Sequence, residues 1–204
     1  MPVTQRWCFR GQIAGVGSTS GVRVVVGRWA DSHLGSFADA MVETAHGHRV
    51  LIAPTEGVAE FICATYEFDE VRIEPIVVGG PPGEWQVAST SLDLHIGVGG
   101  RMPLGRLLRL VPTRVAASPA GATAIDPVAR VVMRGVRTRG TALTGRQEFY
   151  GATDLHAVTG LVGRFDDLDL GSLAPVDPPC GFGFSSTPRR PGVTDVLTTV
   201  IERD

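Results

Sequence analysis

An extended segment through residues 36–45 puts Asp39 on one parity with Phe37, Met41 and Glu43, a carboxylate among large apolar side chains. Desolvation in such surroundings raises a carboxyl pKa toward values useful for general acid or base work. Asp39 is therefore the candidate catalytic residue, with Phe37 and Met41 as candidate lining groups. The opposite parity, Ala38, Ala40, Val42 and Thr44, is an alternative core face and would leave both acids in solvent, where charged residues ordinarily sit. Glu43 is no partner in a dyad. Four residues of strand separate it from Asp39 by roughly 13 Å, too far for a shared proton or a retaining glycosidase pair.

Other groups could surround such a site. His33 lies two residues from Asp31 and is a candidate for the mouth of a cavity, oriented by a carboxylate. Arg146, Glu148 and Tyr150 are candidate polar contacts if their strand faces inward. Asp93 and His95 read as sharing a strand face with Trp85 and Val87, and Asp154 and His156 as sharing one with Glu148 and Tyr150. Either acid could orient an imidazole as hydrolytic triads require. Residues two apart on a strand are about 6.6 Å apart, however, and surface charge explains both pairs more cheaply. His46 and His48 lack a third ligand of matching spacing and fit a hairpin tip, so no metal site is expected. Gly15-Val16-Gly17 and Gly97-Val98-Gly99-Gly100 lack the third glycine of a dinucleotide fingerprint, and no cofactor is expected. No G-x-S-x-G is present, and the arginines of 130–146 read as a solvated face.

The composition narrows the chemistry further. All 19 basic residues are arginine, and the chain contains no lysine. Pyridoxal aldimines, Schiff-base decarboxylases and aldolases, Walker-type phosphate loops and kinase ATP sites all need a lysine amine and are excluded for this chain. With 19 basic against 21 acidic residues, no cationic field exists to hold a polyanion, so nucleic acid is not an expected partner. The 204 residues, 43% hydrophobic and 20% charged, read as a single folded domain spanning 1–204. No run of about 18 apolar residues occurs, and Arg6 and Arg10 interrupt the start of the chain, so a cytoplasmic protein without a membrane span is expected. Cys8, Cys63 and Cys180 show no paired spacing and read as buried thiols.

The elements that must position these residues are mostly strands. Alternation predicts strands over 5–16, 22–29, 36–45 and 48–54, joined as a meander with a tight turn at His46-Gly47-His48. Thr55 caps a predicted helix over 55–66, with Val58, Phe61, Ile62 and Thr65 on its sheet-facing side. Strands follow at 69–78 and 84–96. A second helix is predicted over 101–111 with Leu104, Leu107, Leu108 and Val111 on one face, and a third near 126–135. Residues 136–162 and 193–202 read as strands, and the Pro-rich connector 165–191 as an ordered, packed segment. The expected fold is α+β and β-dominated: a curled antiparallel sheet or barrel of about eight to ten strands with about three short helices, able to enclose one small ligand.

The segment Ser32-His33-Leu34-Gly35-Ser36-Phe37-Ala38-Asp39 resembles the S-x-L-G-x-[YF]-x-[ED] stretch of acetoacetate decarboxylase-like proteins. The order of elements is also similar, with an acid-bearing strand, a short helix in 55–66, paired strands, a late Gly145-Arg146-Gln147-Glu148 segment and an Asp-Leu-Gly-Ser-Leu-Ala-Pro connector. The resemblance implies a β-rich barrel or cone with an interior cavity and catalysis through a lysine imine. Residues 59–71, where the reactive lysine would fall, offer no group able to form one. The chain thus reads as a divergent relative that keeps the cavity and Asp39 without the decarboxylase nucleophile. Its expected function is to bind a small keto acid or polyketide-like molecule, with non-covalent acid–base lyase or isomerase chemistry at Asp39 and an arginine holding the anion. The alternative is a non-enzymatic ligand-binding or oligomeric scaffold protein. Edge strands make a homodimer an expected assembly.

Overall fold

A computed structural model describes residues 4–110, 139–141, 147–183 and 188–203. The predicted helix near 126–135 and Arg146 lie outside the described residues. The first four strands form the expected meander: β1 (Thr4–Ser18), β2 (Arg23–Asp31), β3 (Phe37–Glu43) and β4 (Arg49–Ala53), each antiparallel to the next. Gly47, with φ of +83°, makes the β3–β4 turn that a side chain would strain. Helix α1 (Glu56–Cys63) then crosses to β5 (Glu70–Ile73), which pairs with β4 in parallel, an exception to the antiparallel expectation. Thr55 caps α1 by accepting from the Val58 N–H at 3.3 Å, and Val58, Ala59 and Ile62 are its buried face.

The remaining described elements are β6 (Val77–Gly79), β7 (Glu84–Ala88), β8 (Leu92–Arg101), α2 (Pro103–Leu108), β9 (Arg139–Thr141), β10 (Gln147–Phe165), β11 (Leu168–Asp169), β12 (Leu173–Ala174) and β13 (Gly192–Arg203). The hydrogen-bonded path runs β5-β4-β3-β2-β1-β13-β10-β8-β7-β6. Its two terminal strands are separated in sequence by Glu74-Pro75-Ile76 alone, so the sheet curls until its ends approach. The strand predicted over 69–78 is thereby split, because Pro75 has no N–H to donate to a ladder. Glu74 secures the junction: Ser91 Oγ donates to its Oε1, and the Ser91 N–H to Oε2 at 2.9 Å.

Curling produces two apolar layers. The concave interior is filled by Ala14, Val24, Val26, Ala40, Val42 and Ile52 from one arm and by Trp85, Val87, Leu94 and Ile96 from the other. On the convex face of β2, β3 and β4, Val25 and Leu51 pack with α1 and with Val176, Cys180 and Phe182 of the connector, joined by Phe37 and Met41. The connector is ordered and packed there, as expected. Helix α2 differs from its predicted span, because Pro103 starts it at N1 and Arg101 is still strand. Leu108 is buried, but Leu107 is 55% exposed. Among the described residues no helix is long and apolar enough to cross a membrane.

Candidate functional site

The Ser32–Asp39 segment is a tight turn feeding β3. Ser32 Oγ accepts from the Leu34 N–H at 3.0 Å and donates to the Gly35 carbonyl at 2.6 Å, and Gly35 takes a φ of +82°. Ser36 Oγ donates to the Trp29 carbonyl at 3.2 Å, tying the turn back to β2. The turn sets the parity of β3, so that Asp39, Phe37 and Met41 face α1 while Ala38, Ala40 and Val42 face the concave core. On one parity Ala38, Ala40 and Val42 are buried, and on the other Asp39 and Glu43 are buried while Phe37 and Met41 are half-buried.

Asp39 is 3% exposed. Its cross-strand partner is Gly27, and this glycine is required: a Cβ there would overlap the Asp39 carboxylate and come to 2.5 Å from Trp29 Nε1. Gly11 likewise leaves room beside Trp29, where a Cβ would meet the ring at 2.9 Å. Into the space so opened Trp29 Nε1 donates to Asp39 Oδ1 at 2.8 Å. Burial pushes the Asp39 carboxyl up to about 6, with the indole hydrogen bond pulling weakly the other way. Trp29 joins the acid to a ring cluster, with Phe37 at 6.2 Å and Phe9 at 5.7 Å between centroids. Phe9 continues to His33 at 5.3 Å and Phe61 at 5.0 Å, and Trp7 closes on His33 at 5.6 Å. His33 forms the exposed rim of this cluster.

Three other buried acids are each more fully compensated. Glu43 pairs with Arg23 at 2.8 Å and accepts the Gly181 N–H at 2.5 Å. Asp154 accepts Arg101 Nε on both oxygens at 2.8 Å and the Leu155 N–H at 2.8 Å. Burial opposes ionisation of Asp154, but these donors outweigh it and hold its carboxyl below the ordinary value. Glu74 has the two Ser91 donors. Asp39 has an uncharged indole alone among the described residues.

Of the residues singled out from sequence, Asp39, Phe37, Met41 and His33 come together around β3 and α1. Glu148 and Tyr150 stand on β10, paired in register with Val200 and Thr198. The sequence reading missed Trp29, Phe9, Phe61 and Gly27. The signal for Gly27 was its register opposite Asp39, legible only once the β2–β3 turn length is known. Two face assignments are corrected. A turn at 89–91 breaks the strand predicted over 84–96, so Asp93 and His95 lie on the exposed face of β8 while Trp85 and Val87 face the core. A bulge at Thr153 interrupts the alternation of β10, so Asp154 and His156 do not continue the parity of residues 148 and 150. His48 Nε2 meets Glu70 at 3.0 Å at an exposed hairpin tip, and no described group of three His, Cys, Asp or Glu converges as metal ligands would.

Asp39 lines neither of two clefts formed by described residues. One, of about 420 Å³, lies against β1, β2 and β13, lined by Arg10, Gln12, Arg28 and Asp195 among others. The other, of about 610 Å³, lies beside Asp93, His95 and Arg164.

By sequence, no family profile and no curated protein matches the chain. In three-dimensional comparison it is similar to an acetoacetate decarboxylase from Legionella pneumophila, at 8% identity and a TM-score of 0.47, over 99% of this chain and 89% of that one. A second solved acetoacetate decarboxylase shows 8% identity and a TM-score of 0.44 over 100% and 87% of the two chains. An acetoacetate decarboxylase-like enzyme from Sphingomonas wittichii shows 10% identity and a TM-score of 0.35 over 99% and 93%.

Proposed function

We propose that the chain binds a small, partly apolar keto compound beside Asp39 and moves a proton on it without a covalent intermediate, as a lyase or isomerase would. The observation that supports this most is the isolation of Asp39, a buried acid with an indole N–H and no cation. A carboxyl held so has a proton to exchange near neutral pH, and such perturbed acids concentrate at functional sites. Asp39 would take a hydrogen from the carbon beside the ligand carbonyl and return it, while Trp29 holds the carboxylate and His33, Phe37 and Met41 contact the apolar part. Glu148 and Tyr150 stand on β10, four strands from β3 along the sheet, so they and Arg146, next to them in sequence, are not assigned to the ligand beside Asp39. With no lysine in the chain, no imine forms, and acetoacetate with borohydride should leave no covalent adduct.

The test is hydrogen exchange in D2O. Short keto acids incubated with the protein should lose their α-proton NMR signals faster than in buffer, and Asp39→Asn should abolish the acceleration. A wild-type protein that accelerates exchange of no keto acid in the panel sinks the proposal. The ring cluster supports a second function, a non-enzymatic ligand-binding or oligomeric scaffold protein, because Trp7, Phe9, Trp29, His33 and Phe61 contact one another at 5.0 to 5.8 Å. Thermal shifts with the same panel separate a binder, which gains melting temperature by mass action, from an inert scaffold, and the exchange assay separates the enzyme from a binder without chemistry.

A further inference from the structure

We propose a second small-molecule site on the opposite, concave face of the sheet: the cleft of Arg10, Arg28 and Asp195 takes a small hydroxycarboxylate. The strands themselves build it. On β1, Ala14 and Val16 face the concave core, and the same parity toward the other end of the strand brings Gln12 and then Arg10. On β2, Val24 and Val26 are followed on that parity by Arg28, and on β13 Val193 is followed by Asp195 and Leu197. Where the core layer ends, the concave face thus turns from apolar to charged. Register places Arg28, Gln12 and Asp195 side by side on three neighbouring strands, with Arg10 one rung further out beside Leu197.

Three features suit an anion that also carries a hydroxyl. First, Arg10 and Arg28 line one cleft and, like Arg106 and Arg164, have no ion-pair partner among the described residues. Asp31 is the cross-strand partner of Arg10, and each guanidinium offers the planar fork that binds a carboxylate bidentately. Second, Gln12 Nε2 donates to Asp195 Oδ1 at 2.6 Å, which orients Asp195 and leaves Oδ2 to accept from a ligand hydroxyl. Third, Ala30 and Leu197 supply an apolar wall, and about 420 Å³ is within the range of small-molecule sites. Asp39 faces α1, so this cleft and the proposed acid–base site are separated by the thickness of the sheet.

Lactate is the probe, with isobutyrate lacking the hydroxyl and lactamide lacking the charge, each titrated calorimetrically and by amide NMR. Lactate should bind saturably, with shifts at residues 10–12, 28–30 and 195–197. Isobutyrate should bind more weakly and lactamide not at all. Arg10→Gln and Arg28→Gln should each weaken lactate about tenfold, which is ~1.4 kcal/mol, and raised salt should weaken it further. Arg106→Gln, an exposed arginine on α2, should change nothing. Absence of saturable lactate binding overturns the proposal, as does equal binding of lactamide. Lactate binding that survives Arg10→Gln with Arg28→Gln but is lost in Asp39→Asn also overturns it, and would locate the ligand on the convex face instead.

Discussion

Asp39 makes stability depend on pH in a direction opposite to that of an ion-paired acid. Its carboxyl lies near 6 when folded and at the ordinary 3.8 when unfolded, so between those values the folded chain binds more protons. Stability from this group is therefore full below about pH 4 and is lost as pH rises through about 6. A shift of about two units corresponds to about 3 kcal/mol. Asp39→Asn keeps an acceptor for Trp29 and removes the charge, so it should remove this pH dependence and be more stable than wild type at pH 7 by up to about 3 kcal/mol. Urea denaturation across that pH range measures both, and a variant with the wild-type slope contradicts the assignment. Gly27→Ala tests the space around the acid. Its Cβ must displace the Asp39 carboxylate or Trp29, which should cost about 1–3 kcal/mol by overpacking and part their hydrogen bond, visible as a moved indole N–H resonance.

At the scale of elements, the connector is fastened to the sheet by charge. Arg23 on β2 pairs with Glu43 on β3 and donates to the Pro178 carbonyl at 3.2 Å, while Glu43 takes the Gly181 N–H. Both side chains are buried, so neutralising one strands the other. Glu43→Gln should destabilise by about 3–5 kcal/mol, whereas Arg23→Met with Glu43→Leu should recover most of that loss. Alkylation gives a local readout. Burial beside Glu43 pushes the Cys180 thiol up to about 12, so native Cys180 should resist iodoacetamide and become reactive in Glu43→Gln as the connector lifts. Equal reactivity in both proteins would mean that the ion pair does not hold the segment. The same scale explains two misplaced pairs. Alternation carries a face along a strand only until a turn or bulge resets it, as at 89–91 and Thr153.

For the whole molecule, closure depends on pairing the two ends of the chain. Strand β13 lies between β1 and β10 along nearly its whole length, so the last described strand is a central one. Removing residues 192–203 would open two unpaired edges in the middle of the sheet, and the truncated chain should show no cooperative thermal unfolding. A truncated chain melting like wild type would contradict this topology. Much was legible beforehand: the meander, α1 with its Thr55 cap, the terminal strand and the turn at His46-Gly47-His48 follow from local periodicity, capping chemistry and glycine, which act between residues close in sequence. The absence of lysine was likewise legible from composition. Tertiary structure alone decided that Asp39 is buried, because both parities of β3 are apolar enough to be core and only the curl of the sheet covers one while α1 covers the other. It alone brought Arg10, Arg28 and Asp195 to one cleft, since strand register is set by pairing between distant segments rather than by the pattern within any one of them.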